Sequence, residues 1–362
     1  MTQKRFVGAV AIAACATLLA ACGDAGGSGE PGADGMTHVT LGFALAVPDA
    51  SQSYYTSLPE KLGYWADEKL DVDIATFDGS NATITAVQAN QADVTNTGTA
   101  GLAVAVEKGS DLIAYYPMAT TNIYFPAAPE DSPIRSIKDF EGKKVGIQSL
   151  ESTSYQYLRG ILAGEGVNPD SVEYVPVGTG AEVAAALENG SIDTYQGSDT
   201  LYAQLKSAGV TMRRIPSAAS DDIKFVTAMV ASAADLDAHP DTYLGIARGI
   251  AKARAFAEAN PEAAVRLHWE AYPDSKPRNV SEEEAMATAV QGLQGRLAAE
   301  NLVDGVGADL TTDDIANTVK AYVAGGMIKS EVSPDKLFDD EFVGQINDFD
   351  AAAIQKQAKQ RS

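Results

Sequence analysis

Two short turns carry groups able to hold an oxygen-rich solute without a metal or a nucleophile: Gly79-Ser80-Asn81 and Gly178-Thr179-Gly180. Each sits between a β-rich run and a helical stretch, where the first N–H groups of the helix lack partners and carry partial positive charge. Gly98 with Thr99, Ser149 with Ser152, Thr153 and Ser154, and Gly197 with Ser198 and Asp199 make three further turn-to-helix junctions. Hydroxyls and amides at such places can hold an oxyanion without any arginine; the plain alternative is helix capping, which Ser and Thr do everywhere. Tyr54 and Tyr55, beside Ser53, follow the first β-rich run, Tyr116 ends the fourth, and Tyr155, Tyr195 and Tyr202 fall near later turns. Phenol rings there either line a cleft that stacks a flat solute or pack in a core. Asp199 could accept from an amino group, or it answers the dipole of the helix it opens.

Catalysis finds little footing, so no catalytic residue, cofactor or metal ligand is expected. The three histidines, His38, His239 and His268, are far apart, and none has a metal-binding spacing. Neither G-x-S-x-G nor G-x-x-x-x-G-K-[ST] occurs. A pair poised for acid–base work cannot be singled out among 49 carboxylates. The run Gly178 to Val183, GTGAEV, has the look of a dinucleotide loop but lacks the third glycine.

The elements that must position these groups begin after an unusual leader. Lys4 and Arg5 precede an uncharged apolar run from Phe6 to Ala21, too short for a stable membrane span but suited to an export signal. It ends in Leu19-Ala20-Ala21-Cys22, which resembles the lipobox of bacterial lipoproteins. The resemblance implies cleavage before Cys22 and a lipid on its thiol; the alternative is an ordinary signal peptide cut at an A-x-A site. Cys15, the other cysteine, leaves with the peptide, so no thiol remains for a disulfide, redox pair or nucleophile. The sequence divides into a signal peptide (1–21), a Gly-rich flexible tether (22–36) and a folded part.

Loss of residues 1–21 removes Lys4 and Arg5 and no acid, taking the formal charge from −22 to −24. So acidic a surface repels phosphate backbones and anionic headgroups, which argues against nucleic acid as a partner and leaves the lipid as the membrane contact. The remaining length, about 325 residues, suits two domains.

Residues 71–97 laid over 171–197 show a repeat at an offset of 100, with Val72 over Val172, Asp73 over Glu173, Val87 over Leu187 and Asp93 over Asp193. Each copy reads as a β-rich run, a Gly/Ser turn, a helix and a second short strand, a βαβ unit; generic α/β punctuation is the alternative. Three prolines between Pro126 and Gln148 mark departure from one lobe, and the β-rich run Phe225 to Ala231 suits a return. The expected lobes are 37–125 with 230–362, and 126–229, joined by two hinge crossings. Helices are expected over Pro240 to Asn260, Glu262 to Tyr272 and Ser281 to Leu297, the last opening on a capping-box spacing of Ser281 and Glu284.

Four segments carry a wider resemblance: LPEKLGYWADEKLDVDI (Leu58 to Ile74), AVQANQADVTNTGTAGLAVAVEKG (Ala86 to Gly109), SIKDFEGKKVGIQ (Ser136 to Gln148) and ALENGSIDTYQ (Ala186 to Gln196). They are similar to signature segments of substrate-binding proteins of ABC importers, in the branch serving nitrate, sulfonates, taurine and thiamine-type pyrimidines. The resemblance implies an α/β, bilobal, type II venus-flytrap fold that binds a small solute in its cleft and delivers it to a membrane permease. A lipid-anchored monomer on the extracytoplasmic face of the cell membrane fits that role. Two other readings use the same fold: a pyrimidine-synthase-like enzyme, whose cysteine-rich segment resembles nothing here, and a sensor lipoprotein without transport.

Overall fold

The computed structural model describes Gly32 and residues 35–278, 280–299 and 310–361, so the expected signal peptide and Cys22 lie outside the described residues. The chain opens with β1 (Thr37–Phe43), α1 (Ser57–Lys61), α2 (Tyr64–Asp67), β2 (Leu70–Thr76), α3 (Ser80–Gln88), β3 (Val94–Gly98), α4 (Thr99–Glu107) and β4 (Leu112–Ala119). A second region holds β5 (Ala127–Pro129), β6 (Lys144–Ile147), α5 (Thr153–Gly164), β7 (Glu173–Pro176), α6 (Ala181–Glu188), β8 (Thr194–Gln196), α7 (Asp199–Ser207), β9 (Met212–Arg214) and α8 (Ala218–Asp221). After β10 (Thr227–Ser232) the chain is helical: α9 (Ala233–Ala238), α10 (Pro240–Ala259), α11 (Pro261–Ala271), α12 (Glu282–Ala299), α13 (Thr312–Ala324), α14 (Val343–Ile346) and α15 (Ala351–Lys359).

The first sheet has the order β2-β1-β3-β10-β4, with β1, β2 and β3 parallel and β10 antiparallel to both its neighbours. β10 (TAMVAS) is apolar and buried almost throughout, as a strand covered on both faces must be. The second region has a parallel sheet, β7-β6-β8, and a separate antiparallel pair, β5 with β9.

Both copies of the repeat build the same object, in which β2-β1-β3 and β7-β6-β8 share one strand order. Asp93 accepts the Thr40 N–H at 2.7 Å, and Asp193, 100 residues on, accepts the Lys144 N–H at 2.8 Å. Each carboxylate thereby satisfies a backbone donor of the central strand just before that strand pairs with the one following the carboxylate. Gly79 and Gly178 leave their strands with φ of +88° and +72°, a left-handed conformation that glycine adopts without steric cost.

One apolar cluster packs β1 and β2 under α10 and α11, around Trp65, Tyr243 and Phe256. Another runs unbroken from α3 and α4 into α5, β6 and α13, so the two regions share core at their junction. Here the structure differs from the sequence-based division. The first sheet takes the chain back at Thr227, ahead of residue 230, and α13 packs on α5 of the second region. α5 and α13 meet at Gly160 and Gly325, where a Cβ on Gly325 would collide with Gly160 backbone. Beside this contact, Tyr157 and Tyr322 join hydroxyls at 2.6 Å, and both reach the Phe225 carbonyl at the return crossing.

Candidate functional site

Between the two regions lies a cavity of about 70 Å³. The first side supplies the end of β1 (Phe43 to Leu45), Gln52 and Tyr55 of the 3₁₀ turn Ala50–Tyr55, the Gly79-Ser80 turn, and Asn96 to Gly98. The second side supplies Gln148, Ser152 to Ser154, Ser198, Thr200 and Leu201, with Tyr124 and Thr227 from the crossings and Arg296 from α12. Strand ends and helix starts therefore converge from both sides, as open parallel sheets dictate.

Local chemistry explains these junctions. Ser152 and Ser198 are N-caps whose hydroxyls accept the N–H groups of Tyr155 and Leu201, each at 3.4 Å. Across the cleft Thr153 donates its hydroxyl to Ser80, and a Cβ on Gly98 would collide with the Thr153 side chain. At Gly98 the backbone of the first region thus lies directly against a side chain of the second.

Of the sequence candidates, Tyr55, Gly79, Ser80, Gly98, Ser152, Thr153, Ser154 and Ser198 line the cavity. Others serve the fold. Tyr54 and Tyr116 lie in the core at 1% and 2% exposure, because β4 runs past Tyr116 to Ala119. Ser53 is fully buried, and Thr99 is buried against the hydroxyl of Tyr322 at 2.8 Å. Asn81 turns to Glu151 and Gln156 outside the cavity, and Ser149 lies beside Gly79 with its hydroxyl buried. Tyr155 packs edge-on against Tyr174, while Tyr195 and Tyr202 belong to the core of the second region. Gly197 donates its N–H to Tyr202 Oη at 3.0 Å.

The turn Gly178-Thr179-Gly180 does not face Gly79-Ser80-Asn81. The regions dock offset by one connection, so the start of α5, rather than that of α6, meets the α3 turn. Gly178 accepts the Tyr195 hydroxyl within its own region, half-buried Thr179 stays off the cavity, and Gly180 borders a separate groove near Trp269.

Hydroxyls and amides could hold an oxyanion without an arginine, yet the cavity has one. Arg296 pairs with Asp199, whose carboxylate accepts from Nε at 3.0 Å and from Nη2. Burial opposes the guanidinium charge, but the Asp199 carboxylate together with Tyr55 and Tyr54 holds the Arg296 pKa well above its ordinary value. Asp199 is therefore engaged by a cation of this chain. Burial pushes the Tyr124 phenol up to about 12, with the Arg296 charge pulling the other way. Asn96, Thr97 and Gln148, at strand ends, were findable from the rule that ligands sit there; nothing near Arg296 in sequence marks it.

His268, fully buried on α11, braces the wall carrying Gln52 and Tyr55. A carbonyl only accepts, so its Nε2–H donates to Pro48 O at 3.2 Å, leaving Nδ1 to accept from Ser57 Oγ at 2.9 Å. Burial lowers its pKa, which keeps this neutral tautomer in place. Among the described residues no group of three His, Cys, Asp or Glu could hold a metal ion, and no helix is long and apolar enough to cross a membrane.

Two α/β regions linked by crossings around a cavity between them define the bilobal periplasmic-binding-protein fold, and solved structures bear this out. A protein from Bordetella bronchiseptica RB50 matches with a TM-score of 0.68 at 21% identity, over 86% of this chain and 96% of its own. The alkanesulfonate-binding protein SsuA from Xanthomonas axonopodis pv. citri, bound to MOPS, matches with a TM-score of 0.63 at 14% identity, over 84% of this chain and 98% of its own. The desulfurization enzyme DSZB shares the fold at 15% identity and a TM-score of 0.52, over 85% of this chain and 98% of its own. No curated protein matches in sequence. The chain matches the family described as NMT1/THI5 like over residues 54–264, and it belongs to that family.

Proposed function

We propose that the protein is the extracytoplasmic solute-binding component of an ABC importer. It captures a small organic solute of sulfonate, carboxylate or aromatic pyrimidine type and presents it to a permease. The observation that carries this reading is the cavity itself: hydroxyls, amides and helix starts from both regions enclose it, so a solute touching both sides favours the closed state. The SsuA likeness in fold agrees with it. In this reading Cys22 carries a lipid, the Gly-rich tether holds a monomer at the membrane, and the two crossings act as hinge.

The fold of DSZB supports a second reading, an enzyme acting on a small solute in the same cavity. One experiment separates them. Solute identified by mass spectrometry in purified protein should raise the melting temperature with the logarithm of its concentration and be recovered intact. A converted product scaling with protein concentration would favour the enzyme. For the anchor, Cys22→Ser should release the protein from membranes, and unchanged fractionation and mass would end that part of the proposal.

A further inference from the structure

Among the described residues lining the cavity, Arg296 is the one with a charged side chain, and it is only 6% exposed. A guanidinium is a rigid fork with five N–H donors. Arg296 spends one edge of that fork on its neighbours: Nε and Nη2 donate to Asp199, and Nη2 also approaches Thr200 Oγ1 at 3.4 Å. Nη1 makes no hydrogen bond among the described residues, and pairing along the Nε–Nη2 edge turns it away from Asp199. Asp199 itself borders a different groove, between α7 and α12. The carboxylate thus stands behind the arginine as seen from the cavity.

We propose that Arg296 is a solute-recognising residue offering Nη1 to an oxyanion of the solute, and that Asp199 is a positioning residue that fixes the fork and tempers its charge. The proposal rests on the solute-binding reading above and names the group that meets the solute's oxygens. Asp199 cancels the formal charge of Arg296, so an anion gains from the Nη1 donors and the starts of α3 and α5 rather than from a bare cation. Removing the carboxylate leaves a buried cation uncompensated, and such a cation takes up an anion more avidly. The pair also ties α7 to α12, so a solute held at Nη1 is held to both.

The test compares methanesulfonate with dimethyl sulfone, two small probes with similar size and oxygen acceptors of which only the first is charged. Affinities for both are measured by calorimetry or ligand-observed NMR on wild type, Arg296→Gln and Asp199→Asn, with folding checked by thermal melting. The wild type is expected to prefer methanesulfonate. Arg296→Gln should cut that preference by roughly tenfold, and Asp199→Asn should raise it by a similar factor. If the Arg296 variant does not fold, the Asp199→Asn ratio decides alone. An unchanged ratio in folded variants, even with both affinities lowered together, would make the pair a brace between the regions and overturn the proposal. A wild type that binds neither probe overturns it too. Chemical conversion of a solute would sink the solute-binding reading while leaving the ratio, and hence the role of Nη1, intact.

Discussion

The two copies of the βαβ unit share a backbone and part company at their turns. Asp93 and Asp193 tie down their central strands in the same way, and Gly79 and Gly178 leave their strands with similar positive φ. Yet Ser80 meets Thr153 across the cleft, while Gly180 borders a separate groove with open space where a Cβ would stand. One unit was placed against the other region and the other was not. Duplicating a unit duplicates its strands and turns; which turn faces the cavity follows from how the two regions dock.

The sharpest way to break this comparison is to load both turns with the same bulk. Ser80→Trp should fill the cavity of about 70 Å³ and abolish solute binding in calorimetry with the fold intact, whereas Thr179→Trp should leave binding unchanged. Equal effects would mean that the offset docking is wrong. Next in size is Gly98→Ala, whose new methyl collides with Thr153 of the facing region. Overpacking there should weaken binding roughly tenfold to hundredfold. Small-angle scattering should show a larger radius of gyration. By contrast Gly197→Ala, at the strand-to-helix junction of the other copy, places a Cβ 2.7 Å from the Tyr195 ring of its own region, so it should lower the melting temperature and leave the radius unchanged.

A smaller effect distinguishes the two cavity walls by pH. The first wall leans on His268, whose pKa lies below its ordinary 6.5 because it is buried, with the Pro48 carbonyl and Asp49 partly opposing. As pH falls the unfolded chain takes up this proton first, so stability is full above about 6.5 and declines below it. Below about pH 6.5, His268→Gln should flatten that decline in thermal melts. The second wall relies on the hydroxyls of Ser152, Thr153 and Ser154, and a Ser152→Ala variant should keep the wild-type slope. Smallest of all, Asp93→Ala and Asp193→Ala should each lower the melting temperature by about 2 °C, since each strands one backbone N–H. A large difference between them would show that the copies are not equivalent supports.

Much of this architecture was legible in the chain. The repeat, its turn glycines, the caps at Ser152 and Ser198, and α10, α11 and α12 to within two residues follow from short-range spacing. The part of the cavity built from Tyr55, Gly79, Ser80, Gly98, Ser152 to Ser154 and Ser198 was reached through the same local logic. Tyrosines were harder. Tyr54 and Tyr55 are neighbours of one type in one turn, yet only Tyr55 lines the cavity, because the turn rotates its predecessor into the core.

What the sequence by itself determined is therefore the set of parts: strand and helix boundaries, capped helix starts, and turns that only glycine fits comfortably. These depend on backbone torsion and on hydrogen bonds within a few residues, so their causes lie side by side in the chain. The tertiary structure alone decided that α5 faces α3, that Gly178 to Gly180 sit off the cavity, and that Arg296 meets Asp199 from 97 residues away. Those outcomes depend on packing among residues distant in sequence, such as Gly160 against Gly325 and Thr153 against Gly98, where a single methyl group would change the fit.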